Sequence, residues 1–167
     1  QGEVELSQTH SFARPLSTVL LNDGTRVVLG EDLQLLGISE RGSLRFRLRL
    51  SSGNPGIPSL LPLRDGGVLV ALGAWLLGYD ARGNLRASAE LDERARVTLQ
   101  SGHDSLIVGA RGGVYRWDGH SGVTRVGSFR GAVQDAALDR GRAIVARLTD
   151  DELAELSLST GIVTPLS

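Results

Sequence analysis

The 167-residue chain contains no cysteine, no methionine and no lysine. Without cysteine it forms no disulfide and offers no thiolate to a metal. Without methionine it lacks an initiator residue, so the expectation is a trimmed product or a piece of a longer protein. All 18 positive residues are arginine, a bias read here as the imprint of a GC-rich coding sequence rather than of guanidinium chemistry. Aromatic residues are scarce, with Trp 2, Tyr 2 and Phe 3. No run approaches the roughly 20 apolar residues of a membrane helix. The net charge of −1 supplies no field to draw nucleic acid or an anionic membrane. No signal peptide is present. Gln1 suits a residue exposed by signal cleavage, and the expected location is periplasmic or secreted.

What the chain does have is glycine, 22 residues of it, and a period. A turn ending in Gly recurs at Ser39-Glu40-Arg41-Gly42, Asp80-Ala81-Arg82-Gly83, Gly119-His120-Ser121-Gly122 and Leu158-Ser159-Thr160-Gly161, at spacings of 41, 39 and 39. A second anchor just upstream, Ile38, Tyr79, Trp117 and Leu156, repeats at 41, 38 and 39. Each unit reads as strand, polar turn, strand, strand, Gly turn, strand. A period near 40 built from short strands predicts an all-β propeller array of about four four-stranded antiparallel blades. The repeats run approximately 9–50, 51–91, 92–130 and 131–167, and the array is expected to stand alone or form part of a larger propeller.

Asn22-Asp23-Gly24 and Arg64-Asp65-Gly66-Gly67 have hairpin-turn chemistry. Val68 to Leu72 is continuously apolar, as a strand covered on both faces should be. A helix over Leu69 to Leu77 is disfavoured by Gly67, Gly73 and Gly78, which cost about 1 kcal/mol each relative to Ala. Asp150 to Leu156 has local helical character but occupies the third-strand position of its repeat. Residues 2–7, with alternating Val4 and Leu6, read as an extra outer strand. They are expected to pair with a blade edge of this array, of another copy, or of the remainder of a larger propeller.

The pieces Asn22-Asp23-Gly24, Leu36-Gly37-Ile38-Ser39, Leu77-Gly78-Tyr79-Asp80 and Leu156-Ser157-Leu158-Ser159-Thr160-Gly161 resemble the blade of pyrroloquinoline-quinone-type propellers. WD-type propellers share the period, but the signature dipeptide occurs only at Trp117-Asp118. The quinoprotein enzymes usually carry a docking Trp four residues after the repeat Gly. Here those positions hold Phe46, Ala87, Val126 and Pro165. The vicinal cysteines and the acidic calcium cluster of the quinone site have no counterpart. The resemblance therefore implies the non-catalytic branch: extracytoplasmic scaffolds that hold protein partners, without a cofactor.

Candidate contacts follow from strand faces and loops. Arg45, Arg47 and Arg49 alternate and share one face of a strand, where they suit an acidic partner or a phosphate, or simply a solvated outer strand. The longest loop, residues 51–58, places Asn54 at a surface excursion suited to partner contacts. His103-Asp104-Ser105 has the residue types of a hydrolytic triad but not its geometry, since adjacent turn residues cannot converge as a triad must. The alternative to a scaffold is a hydrolase or lyase built from dispersed loop residues such as His103, Asp104, Arg111 and His120. No spacing signals a metal site, and Ala110-Arg111-Gly112-Gly113 lacks the Lys and helix of a phosphate loop. Trp75, Tyr79, Tyr115 and Trp117 are expected to pack between blades.

Overall fold

A computed structural model of the chain describes residues 13–51, 56–102 and 104–166. Sixteen strands form four separate sheets, each an antiparallel meander in chain order. Blade 1 comprises β1 (Pro15–Leu20), β2 (Arg26–Gly30), β3 (Gln34–Ile38) and β4 (Leu44–Arg49). Blade 2 comprises β5 (Ser59–Pro62), β6 (Val68–Leu72), β7 (Trp75–Tyr79) and β8 (Leu85–Glu90). Blade 3 comprises β9 (Ala95–Ser101), β10 (Asp104–Gly109), β11 (Gly113–Trp117) and β12 (Thr124–Ser128). Blade 4 comprises β13 (Val133–Asp139), β14 (Ala143–Leu148), β15 (Leu153–Ser157) and β16 (Val163–Pro165). The two stretches with helical character, Leu69 to Leu77 and Asp150 to Leu156, contribute β6, β7 and β15 instead. Gly73 supplies the break between β6 and β7 with φ +62°.

The hairpins close as their composition requires. The Asp23 carboxylate accepts the Thr25 N–H at 2.9 Å, and Asp65 accepts the Gly67 N–H at 3.1 Å. Gly24 and Gly66 hold the positive φ that ends each turn. A register shift recurs where the third strand meets the fourth in blades 1, 2 and 3, but not in blade 4. Such bulges increase the local twist.

Three apolar cores hold the blades together, one per junction. Between blades 1 and 2, Val27, Leu29, Leu35 and Phe46 meet Val68, Val70, Leu72 and Tyr79. Between blades 2 and 3, Leu69, Ala71 and Leu76 meet Ile107, Tyr115 and Trp117. Between blades 3 and 4, Leu106, Val108 and Val114 meet Ile144, Ala146 and Leu156. The first strands β1, β5, β9 and β13 approach one another in that order. Among the described residues, no fourth core and no comparable approach of β13 to β1 closes a ring. Among the described residues, the four blades are joined at three junctions. Tyr79, Tyr115 and Trp117 are buried in these junctions as expected, whereas Trp75 is exposed. It opens β7 beyond the inter-blade layer, so period alone did not fix its environment.

Candidate interaction surfaces

Side chains alternate across a strand, so each blade has a face toward the preceding blade and a face toward the next. In blade 1 the face away from blade 2 is ordered in cross-strand rows. One row runs Thr18, Val28, Leu36, Arg47; another runs Leu20, Arg26, Ile38, Leu44. Leu36 is buried at the centre, Val28 and Ile38 are half-buried, and Leu16, Leu20 and Arg26 are exposed. Arg49 pairs across to Gln34 at the margin. The face is apolar at its centre and basic around it.

The three arginines of β4 do different things. Arg45 reaches back to the β1–β2 turn, where its Nη1 donates to Asp23 Oδ2 at 3.0 Å. Blade 2 repeats this brace, with Arg86 Nη2 donating to Asp65 at 2.9 Å. The Thr25 contacts, aided by Arg45, hold Asp23 below the usual carboxylate range. Burial pushes Asp65 up, but Arg86, the Gly67 N–H and His120 together overcome it and hold it low. Arg45 is thus a brace inside its blade, while Arg47 and Arg49 lie exposed on the outward face. Alternation alone would place all three on one face, but the bulge opposite Gly37 and Ile38 interrupts it at Arg45 and puts Leu44 in the outward row. Asn54, Val4 and Leu6 lie outside the described residues, and so does His103.

A groove of about 550 Å³ opens at the end of the same face, lined by residues including Leu20, Arg26, Ile38, Glu40 and Gly42. Its position is informative because two of the three later turn glycines, Gly83 and Gly161, are seats for the preceding blade, whereas Gly122 meets nothing within 4 Å. A Cβ on Gly83 would lie 2.6 Å from the Phe46 ring, and one on Gly161 would lie 2.6 Å from the Val126 carbonyl oxygen. Gly42 is the first turn glycine of the array, and the groove lies where a preceding blade would pack.

Blade 4 ends the array with a different chemistry. Its outward rows are Asp135, Arg147, Leu153 and Ala137, Val145, Glu155, Thr164, with Asp139 beside the turn. Leu153 is exposed and Val145 half-buried. Arg147 donates to Asp151 at 3.0 Å, within its own blade. Acidic groups therefore dominate where blade 1 presents basic ones.

Two polar clusters lie within the array. His120 Nε2 and Asp65 Oδ2 are 2.9 Å apart, tying the β11–β12 turn of blade 3 to the β5–β6 turn of blade 2. Asp118 accepts the His120 and Ser121 N–H groups and the Ser121 hydroxyl, each at 2.8 Å. The Ser121 and His120 N–H groups lead in depressing its pKa to about 2. The serine hydroxyl thus engages Asp118 and the histidine engages Asp65, so no nucleophile–base pair forms. The second cluster is buried. Glu93 accepts the Arg111 N–H at 2.7 Å, the Gly113 N–H at 3.2 Å and the Tyr115 hydroxyl at 2.7 Å. Burial, then Asp92 and Glu93, push the Tyr115 hydroxyl up, which keeps it a donor. A Cβ on Gly109 or Gly113 would collide with the Glu93 carboxyl group. Its role is to satisfy buried donors at the β10–β11 turn. Nothing in sequence marked Glu93 out, because its partners are backbone groups 18 and 20 residues away.

Among the described residues, Asp104, Arg111 and His120 do not come together. Asp104 and His120 lie at the end of blade 3 where β9 meets β10, whereas Arg111 lies at the opposite end, in the β10–β11 turn. A six-residue strand separates these ends by roughly 20 Å. Asp104 is 3.5 Å from Arg116, an ion pair across neighbouring strands. Among the described residues, no group of three or more His, Asp or Glu is arranged to hold a metal.

No known family model matches the chain, and no curated protein matches it by sequence. Its fold is nonetheless shared with solved β-propellers. The C-terminal WD40 domain of Sif2 is 12% identical with a TM-score of 0.72, over 89% of this chain and 44% of that one. Virginiamycin B lyase from Staphylococcus aureus is 12% identical with a TM-score of 0.73, over 94% and 56%. BamB from Moraxella catarrhalis is 19% identical with a TM-score of 0.67, over 89% and 48%. The chain is a β-propeller array that spans about half the length of these structures.

Proposed function

We propose that the chain is a non-catalytic propeller scaffold that binds protein surfaces through the outward faces of its end blades. One observation carries this reading: each inner face is sealed by an apolar core, while the outward faces of blades 1 and 4 are left with half-buried aliphatic side chains beside charge. The separation of Asp104 and His120 from Arg111 supports a scaffold over a hydrolase or lyase assembled from loops. The likeness of the repeat to the non-catalytic branch of quinone-type propellers supports an extracytoplasmic bacterial setting.

The test is affinity capture with the folded chain and with a Leu20→Glu/Arg26→Glu variant. Both substituted side chains are exposed, so circular dichroism should be unchanged. Proteins retained by the native chain should be lost from the variant. Equal capture by both would reject the outward face as the binding surface. Turnover of a lactone or ester substrate that His120→Ala abolishes would reject the scaffold reading itself.

A further inference from the structure

We infer that the outward faces of blades 1 and 4 are complementary halves of one junction, and that two copies of the chain close on each other head to tail. This rests on the scaffold reading and names its first partner: a second copy of the same chain.

Three observations point the same way. The first is polarity of charge. Blade 1 presents Arg26, Arg47 and Arg49, and blade 4 presents Asp135, Asp139 and Glu155. Placed face to face, the two sets attract, whereas like faces repel. That selects a head-to-tail contact over a contact between identical faces. The second is the seat at Gly42. Inside the array, Gly83 and Gly161 receive the preceding blade while Gly122 meets nothing within 4 Å, and the groove of about 550 Å³ at Gly42 is a place of the kind seen at Gly83 and Gly161. The central rows supply apolar contact as well, with Val28, Leu36 and Ile38 on one side and Ala137, Val145 and Leu153 on the other.

The third observation is size. A head-to-tail contact either closes into a ring or grows without limit. This chain matches 44% of the length of the WD40 domain of Sif2 and 56% of that of virginiamycin B lyase, so two copies supply about one ring of that size. Area favours closure too. Four strands about 4.8 Å apart and five residues at about 3.3 Å make a face of roughly 320 Å² in flat projection. One junction of two faces gives roughly 640 Å², below the ~1,000 Å² of a specific interface, and two junctions give roughly 1,300 Å², above it. A closed pair makes both junctions at once, and the second forms at high effective concentration. These junctions carry more charge than the three inside the array, so their strength should fall with salt.

The experiment is sedimentation of the purified 167-residue chain at about 100 µM, in roughly 50 mM and 500 mM salt. A mass twice 17.7 kDa, dissociating at least about tenfold more readily in the higher salt, is expected. Two charge-reversed variants then test the faces: Arg26→Glu/Arg49→Glu on blade 1, and Asp135→Arg/Glu155→Arg on blade 4. Each alone should sediment as a monomer. Mixed in equal amounts they should recover the double mass, because both junctions of the mixed pair again join opposite charges. Circular dichroism on each variant separates loss of association from loss of fold. A native chain that stays at 17.7 kDa in low salt overturns the inference. So does a pair indifferent to both reversals, or a ladder of larger species. A monomer that still captures partners through Leu20 and Arg26 would leave the scaffold reading standing and remove only the second copy.

Discussion

The second strands of the four blades divide into two kinds. In β6 all five residues, Val68 to Leu72, are buried, and in β10 every residue after Asp104 is buried. In β2 and β14 burial alternates, with Arg26 and Arg147 exposed between covered neighbours. The repeat is the same; the surroundings are not. Inner blades are covered on both sides and need apolar residues at every position. End blades are covered on one side and keep the alternation of a half-exposed sheet. Blade position, rather than repeat chemistry, explains why these strands differ.

That contrast can be broken most severely at an inner junction. Trp117 is fully buried between blades 2 and 3. Trp117→Ala should cost about 3–5 kcal/mol by urea denaturation, whereas Val145→Ala on the outward face of blade 4 should cost less than about 1 kcal/mol, because no core surrounds it. Equal losses at the two sites would erase the distinction between inner and end blades.

The seats offer a second, smaller test. Gly83 has φ +84°, and a Cβ there would press into the Phe46 ring. Gly83→Ala should destabilise by about 2–3 kcal/mol through steric overlap added to backbone strain. Gly66→Ala, with φ +99° and nothing within 4 Å, should cost only about 1 kcal/mol. Thermal melts of the two variants measure the difference.

Glu93 comes next. Glu93→Leu would strand the Arg111 and Gly113 N–H groups, while the Tyr115 hydroxyl keeps Asp92 as its partner. A loss of about 2 kcal/mol is expected, with faster hydrogen exchange at the Arg111 and Gly113 amides. Unchanged exchange there would show that the carboxylate does not hold the turn.

The smallest effect belongs to the exposed turn at Asp118. Its pKa of about 2 lies below the ordinary range of an aspartate carboxyl group, so the folded state favours the carboxylate. The associated stability is present above about pH 4 and is lost as pH falls toward 2. Asp118→Asn should remove that part of the acid dependence and shift stability at pH 7 by under about 1 kcal/mol. Melting curves between pH 2 and 5 would show it, and parallel curves for native and variant would contradict it.

Much of the architecture was legible because it is written locally and repeated. Asp23-Gly24 and Asp65-Gly66 sit in turns, and Gly42, Gly83 and Gly161 carry the positive φ their turns need. The continuous Val68–Leu72 run predicted a doubly covered strand. The candidate site was legible only in part. The alternation of Arg45, Arg47 and Arg49 suggested one shared face, whereas the bulge between Leu44 and Phe46 sets Arg45 apart and it is drawn to Asp23. Trp75 shows the same limit, since its repeat position suggested packing while its place at the start of β7 left it exposed.

The sequence alone determined the strands, the turns and the number of blades, since these depend on residue types a few positions apart and on a period that any one copy reinforces. Only the tertiary structure decided which faces are sealed, that three cores rather than four join the described blades, and that Glu93 and His120 bridge elements distant in the chain. The physical reason is that burial belongs to a neighbour's position, and a repeat carries its own pattern without stating which blade will stand beside it.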